Sequence, residues 1–259
     1  MAPSSCNWAG VCVGTFTLNT SVIVGAGGAT GEVSLLGATN KSVVFNFSVN
    51  GNVGNLVDST ADAKFFKNGV NRTNSTCILA ETGANKRVYE CTIKMPFYDE
   101  SGVWNISVNI SDTFGTTKTD NSGTFSVNIL RDVTPSAFAV NFPNIVPGAV
   151  DVPASAMPLN LTNTGNFNDT ISIQAYNLHG QSSPGQFIDA SNFRAGITTG
   201  VCSTGVFLAN NTITVIPGSN LPRGPNSREG FYYCLKIVPS VSSQLYSTLP
   251  GFGWKIGFF

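Results

Sequence analysis

The sequence predicts an all-β chain of two tandem β-sandwiches preceded by a strand-like N-terminal extension. Three features carry that prediction. Apolar and polar residues alternate along the whole chain, as in Trp104-Asn105-Ile106-Ser107-Val108-Asn109-Ile110, and a period of two marks a strand with one face in a core. No long segment spaces apolar residues at i, i+3, i+4 and i+7, the pattern of a core-facing helix. Clusters such as Asp99-Glu100-Ser101-Gly102 and Asp120-Asn121-Ser122-Gly123 punctuate the alternating runs and read as turns between short strands. A length of 259 residues suits two domains of ordinary size.

The elements follow in order. Residues 11–24 form an uncharged, strand-like run carrying Val11, Val13, Phe16, Leu18, Val22 and Val24. Gly25-Ala26-Gly27-Gly28-Ala29-Thr30-Gly31 follows. No Lys follows it and no helix begins there, so it reads as a flexible connector and not as a phosphate cradle. This extension, residues 1–31, is either the first strand of the first domain or a donor strand for a neighbouring sheet. In the second case its six apolar residues are the subunit contacts. The first sandwich spans residues 32–132, with strands expected at 43–49, 104–110 and 125–129. The strand pattern breaks around Arg131-Asp132-Val133-Thr134-Pro135-Ser136, and a second sandwich spans residues 133–259. It opens on alternating Phe138, Val140 and Phe142. Its strands are expected at 159–161, 170–176, 206–208, 213–216, 231–238 and 254–258.

Six cysteines fall as three sequence-local couples, Cys6/Cys12, Cys77/Cys91 and Cys202/Cys234. Around Cys77 and Cys91 the pattern tests a pairing. A turn centred on Gly83-Ala84-Asn85 sets Cys77 opposite Cys91, Leu79 opposite Tyr89 and Glu81 opposite Arg87, three complementary cross-strand pairs. A disulfide across this hairpin is expected, and bridges within the other two couples are expected beside it. Such bonds persist outside the cytosol.

Charged residues make up only 11% of the chain, against about 25% in an ordinary soluble domain. Polar solvation has to come from elsewhere. There are 27 Asn, and ten begin N-x-[ST] sequons: Asn19, Asn40, Asn46, Asn71, Asn74, Asn105, Asn109, Asn160, Asn168 and Asn210. Bulky, hydrated sugar on several of them would solubilise a surface with few charges. Asn105 and Asn109 fall opposite the apolar stripe of their own strand, on the face a glycan needs. Sequons and cysteine couples point independently to an extracellular protein. The first residues have neither a basic segment nor a long apolar core, so an export signal is expected to have been removed already.

Several function classes recede. Lys plus Arg and Asp plus Glu each number 14, and a balanced chain lacks the basic surplus that grips nucleic acid. No run of about 20 apolar residues predicts a membrane-spanning helix. His179 stands alone in a loop with no placed partner, and neither a G-x-S-x-G elbow nor a Ser/His/Asp set can be assembled. No C-x-x-C or Cys/His cluster suggests zinc. Asp99 and Glu100 begin an oxygen set for calcium, which needs six or more, but two acids in a loop more simply cap a turn. The expectation is a protein without enzymatic activity, metal or cofactor.

Three stretches resemble immunoglobulin-like modules of archaeal secreted, surface-layer-like and pilus-like proteins. One runs from Tyr89-Glu90-Cys91 through Tyr98-Asp99-Glu100-Ser101-Gly102-Val103-Trp104 to Asp112-Thr113-Phe114-Gly115. The second is Leu161-Thr162-Asn163-Thr164-Gly165-Asn166-Phe167-Asn168-Asp169. The third is Phe231-Tyr232-Tyr233-Cys234-Leu235-Lys236-Ile237 with Trp254-Lys255-Ile256 after it. Unlike antibody domains, the chain has its first pair of Cys close together and Trp104 after both. The resemblance implies immunoglobulin-like sandwiches and a place at the cell surface, while one fold hosts many functions. The function expected is a structural subunit of a glycosylated, pilus-like extracellular filament, copies being joined by β-strand complementation. Its partners are then other copies of the chain and N-linked glycans. The alternatives are a surface-layer lattice protein, or an adhesin or carbohydrate-binding module with Phe187, Phe193 and Tyr233 as an aromatic platform.

Overall fold

A computed structural model describes residues 31–73 and 75–259 together with the strand backbones of 5–6, 12–13 and 16–21. It is nearly all β and divides into two compact units, residues 1–130 and 131–259. Among the described residues no helix is long and apolar enough to cross a membrane.

In the first unit β1 (Ser5–Cys6) and β2 (Cys12–Val13) form a small ladder in which Cys6 lies opposite Cys12. Two sheets make up the rest. One contains β3 (Phe16–Ser21), β5 (Lys41–Gly51), β9 (Lys86–Met95) and β8 (Ser75–Gly83), hydrogen-bonded in that order. The other contains β4 (Glu32–Val33), β11 (Thr117–Val127), β10 (Gly102–Ser111), β6 (Asp62–Lys67) and β7 (Val70–Arg72). Alternation decides which side chains meet between them. Val43, Phe45, Phe47 and Val49 of β5 and Tyr89, Cys91, Ile93 and Met95 of β9 share one core with Trp104, Ile106, Val108 and Ile110 of β10. Phe65 sits at its centre, 5.2 Å from Phe45 and 4.6 Å from Phe125 between ring centroids. Side chains from both sheets in one core make a β-sandwich.

Two local expectations are corrected. The cluster Asp120–Gly123 is no turn: it lies inside β11, where the register jumps from Ile106↔Gly123 to Val108↔Asp120. The strand bulges there, and Asp120 Oδ1 accepts the Ser122 N–H at 2.9 Å, satisfying a donor within the bulge. In the β8–β9 hairpin, Cys77 faces Cys91 and Leu79 faces Tyr89, but the register shifts between Leu79 and Glu81. Glu81 therefore meets Val88, Thr82 meets Arg87, and Arg87 turns to Asp58 instead.

The second unit holds β12 (Val133–Pro135), β13 (Val150–Pro153), β14 (Leu159–Asn163), β15 (Ser172–Ala175), β16 (Leu178–Gly180), β17 (Phe187–Ile188), β18 (Phe193–Gly196), β19 (Val206–Phe207), β20 (Thr212–Val215), β21 (Arg228–Ile237), β22 (Tyr246–Ser247) and β23 (Lys255–Gly257). The largest sheet runs β12-β14-β21-β18-β19, with β13 also pairing β21, and two three-stranded sheets, β20-β15-β23 and β17-β16-β22, complete the unit. Its core joins Leu159, Leu161, Phe193, Phe231, Tyr233 and Leu235 of the large sheet to Ile173 and Ala175 of the β15 sheet. The one-turn helix α1 (Val201–Thr204) is tied to β21 by the Cys202–Cys234 disulfide, with Cα atoms 5.2 Å apart. The alternating run of Phe138, Val140 and Phe142 is not a strand, and residues 136–149 carry none. Pro143 and Pro147 have no N–H to give a ladder. Val140, Phe142 and Ile145 nevertheless pack on the core, while Phe138 is 95% exposed.

Candidate functional site

A sheet edge offers unpaired N–H and C=O groups to another chain, so the edges are where assembly chemistry resides. In the first unit the five-stranded sheet ends in very short strands, β4 with two residues and β7 with three, which blunts both edges. The other sheet ends in β8, which Cys77–Cys91 fastens to β9 with Cα atoms 4.1 Å apart. At its opposite end lies β3, paired antiparallel with β5 from Phe16↔Gly51 to Ser21↔Asn46. That register sets Leu18 opposite the buried Val49 and Thr20 opposite the buried Phe47. Of the six apolar residues expected at subunit contacts, Phe16 and Leu18 lie in this ladder, made here within the chain. Val13 lies in the β1–β2 ladder opposite Ser5. Val11, Val22 and Val24 lie outside the described residues.

The sequons fall on exposed or half-exposed backbone wherever they are described. Asn40, Asn71, Asn160, Asn168 and Asn210 are exposed; Asn46, Asn105 and Asn109 are half-buried. Asn105 and Asn109 do lie on the outer face of β10, but β10 is flanked by β6 and β11, and Phe66 and Asp62 stand directly opposite them. Asn168 Oδ1 accepts the Arg223 N–H, and Asn210 Oδ1 accepts the Asn177 N–H at 3.0 Å. These contacts use the amide oxygen and not the nitrogen to which a sugar is attached. The Asn19 side chain and Asn74 lie outside the described residues.

The acidic turn residues are internal fasteners. Asp99 is 2% exposed, and both of its oxygens receive the Arg72 guanidinium, with Nε to Oδ2 at 2.9 Å. The pair is a fork matched to a carboxylate, and it raises the Arg72 pKa through that hydrogen bond, against the effect of burial. Trp104 Nε1 donates to the Glu100 carbonyl at 2.7 Å, locking the same turn. Asp112 Oδ1 accepts the N–H groups of Phe114 and Thr116, each at 2.9 Å, and Gly115 supplies the left-handed φ of +81°. Asn163 is buried and fully used: its Oδ1 takes the Gly165 N–H, and its Nδ2 donates to the carbonyls of Phe167 and Leu221. Tyr89 donates its hydroxyl to Asp58 Oδ1, which also binds Arg87. Burial first, and then that carboxylate, push the phenol up to about 12. Sequence reading missed Arg72 and Asp58 as partners, since they lie 27 and 31 residues from Asp99 and Tyr89 and no local pattern links them.

The remaining chemistry is sparse. His179 is half-buried, its Nδ1 3.0 Å from the Pro184 carbonyl and its ring against Phe187. Asp151, Cys202 and Cys234 cluster closely, but the two sulfurs are bonded to each other and Asp151 pairs with Lys236. The proposed aromatic platform is not formed. Phe193 and Tyr233 are core residues packed on Trp254, and only Phe187 is exposed. Burial alone raises the Tyr233 pKa. Two cavities, about 690 and 670 Å³, flank the strap of residues 138–147 and share Val140, Phe142, Leu178 and Tyr246.

No protein-family model matches the chain, and no curated protein matches it. Among solved structures it is similar to a DUF4785 family protein from Legionella pneumophila, at 9% identity and a TM-score of 0.29. The match covers 95% of this chain and 47% of that one, so the chain spans about half the length of that protein. A likeness this slight carries no argument about fold or function.

Proposed function

We propose that the chain is a structural subunit of a glycosylated, pilus-like extracellular filament whose copies are joined by strand complementation. The observation that carries this reading is the six-residue ladder of β3 on β5, preceding a connector in which Gly25, Gly27, Gly28 and Gly31 remove side-chain constraint. A strand with the sequence of β3 can make the same main-chain hydrogen bonds with the β5 of a neighbour as with its own. Exchange of an identical element between copies is a low-cost route to assembly, and an exchange that does not close on itself gives an open fibre. Two disulfides, a low charge fraction and ten sequons suit an extracellular compartment. The resemblance to archaeal surface modules points the same way. A surface-layer lattice is the second reading, favoured by apolar residues exposed in the second unit, such as Val150 opposite Ile237 and Ile213 and Val215 on β20. The adhesin reading loses its platform with Phe193 and Tyr233 in the core.

Natural material viewed by negative-stain electron microscopy is expected to show long regular polymers, with an intact mass above that of the polypeptide by several glycans. A chain lacking residues 1–24 is expected to stay monomeric and to be incorporated only as a filament end. Polymers of unchanged length from the shortened chain would overturn strand complementation. Monomeric natural material would overturn the filament.

A further inference from the structure

We propose that the second unit binds a flat, uncharged ring ketone in the cavity of about 670 Å³ beside the strap, with the Tyr233 hydroxyl donating to its carbonyl oxygen. All of the lining lies within residues 135–256, so strand complementation is not needed for it. Tyr233 on β21 is 2% exposed, and its ring packs on Trp254 with centroids 5.9 Å apart. Its hydroxyl has no hydrogen-bond partner among the described residues, in keeping with a pKa raised by burial alone. Nor is the hydroxyl sealed among protein atoms: the polar side-chain atoms enclosed without a partner are Arg87 Nε, Arg194 Nε and Ser227 Oγ. Tyr233 lines the cavity, and that is the open space its hydroxyl reaches. Buried polar groups in folded proteins are nearly always paired, so a partner for this one has to come from the cavity.

The neighbouring groups set the class of ligand. A cavity of this size with a mostly apolar lining suits a small molecule. Two of its aromatic residues have their polar atoms engaged elsewhere: Trp254 Nε1 donates to the Tyr176 carbonyl at 2.7 Å, and the Tyr246 hydroxyl to the Ser242 carbonyl at 2.9 Å. They offer ring surface, which favours a flat ligand. Phe138 and Leu245 also line the cavity and are 95% and 66% exposed. A ligand seated there covers apolar surface that the chain itself leaves bare. The charged residue of the lining is Lys255, which is exposed, so nothing compensates an ion held against the core. A ligand hydroxyl would bring a donor that needs its own acceptor among apolar walls, whereas a carbonyl oxygen brings none. Residues 137–140 make no backbone hydrogen bond among the described residues, so this stretch of the strap can yield without breaking a ladder. The companion cavity differs, because its Gln244 is already engaged. Oε1 takes the Ser182 and Ser183 N–H groups, and Nε2 donates to Ser242 Oγ, each at 2.9 Å.

The test is equilibrium dialysis of the full chain against fluorenone and, separately, against fluorene, the same ring system without the oxygen. The ketone is expected to bind about tenfold more tightly, the factor that one hydrogen bond to an otherwise unpaired buried group supplies. Tyr233→Phe keeps the ring and removes a hydroxyl that no group in the fold holds, so folding is expected to be unaffected. It is expected to bring fluorenone down to the affinity of fluorene and to leave fluorene unchanged. Phe138→Ala, at a side chain 95% exposed, leaves the core intact and is expected to weaken both molecules alike. Equal affinity of the parent chain for the two molecules overturns the site, as does binding of neither. Fluorenone binding undiminished in Tyr233→Phe, or binding of both molecules undiminished in Phe138→Ala, overturns it too.

Discussion

Aspartates in similar turn-like sequence settings do different work in this protein. Asp112 binds its own turn, Asp99 receives an arginine from β7, and Asp120 satisfies a bulge inside a strand. The partners of Asp112 lie within four residues of it, so its role is local to the chain. The roles of the other two could not be read from the sequence: Asp99 depends on a strand brought in by topology, and Asp120 on a ladder irregularity that leaves no compositional trace. Tyr89 and Asp58 belong to the same class of long-range pairing, and their pairing has a consequence in alkali. The folded chain holds the Tyr89 phenol protonated to about 12, while the unfolded chain releases that proton near its ordinary 10.0. Below pH 10 both states are protonated and the contribution to stability is complete. Between 10 and 12 the unfolded state loses its proton first, so stability falls as pH rises. Denaturant midpoints measured from pH 8 to 12 are expected to drop above pH 10, and Tyr89→Phe is expected to flatten that drop. Tyr233, shifted in the same direction by burial, adds to the fall.

Longer elements were the legible ones. The stripe of Trp104, Ile106, Val108 and Ile110 is buried as its alternation predicts, because a one-sided strand in a sandwich has no other way to satisfy its pattern. Strands of two to four residues, such as β12, β16, β17 and β22, are too short to show a period. The strap of residues 136–149 has the period of a strand, but its prolines deny it a partner, so it lies across the core without a ladder. The β8–β9 hairpin shows both sides: its cystine pair was readable, while the one-residue shift after Leu79 was not. That cystine closes a loop with a sequence separation of 14. Replacing Cys77 and Cys91 together by Ala is expected to cost about 3 kcal/mol and to lower the melting midpoint of the first unit by about 10 °C, read by calorimetry against the parent chain.

At the scale of the molecule, each unit carries its own core and its own bridge between strands or between strand and helix. Few charges and many sequons made an extracellular compartment the expectation, and the Cys77–Cys91 and Cys202–Cys234 disulfides are compatible with it. The sequence left residues 11–24 with a choice between two roles, and in the structure residues 16–21 of that segment pair with β5 of their own chain. The tip of the β8–β9 hairpin has a separate consequence. Ala84, Asn85 and Lys86 are exposed there, within the segment that Cys77 and Cys91 enclose. Trypsin cleaving after Lys86 severs the backbone without releasing a fragment: the halves stay joined through sulfur, run as one band on a non-reducing gel, and separate only when a thiol is added.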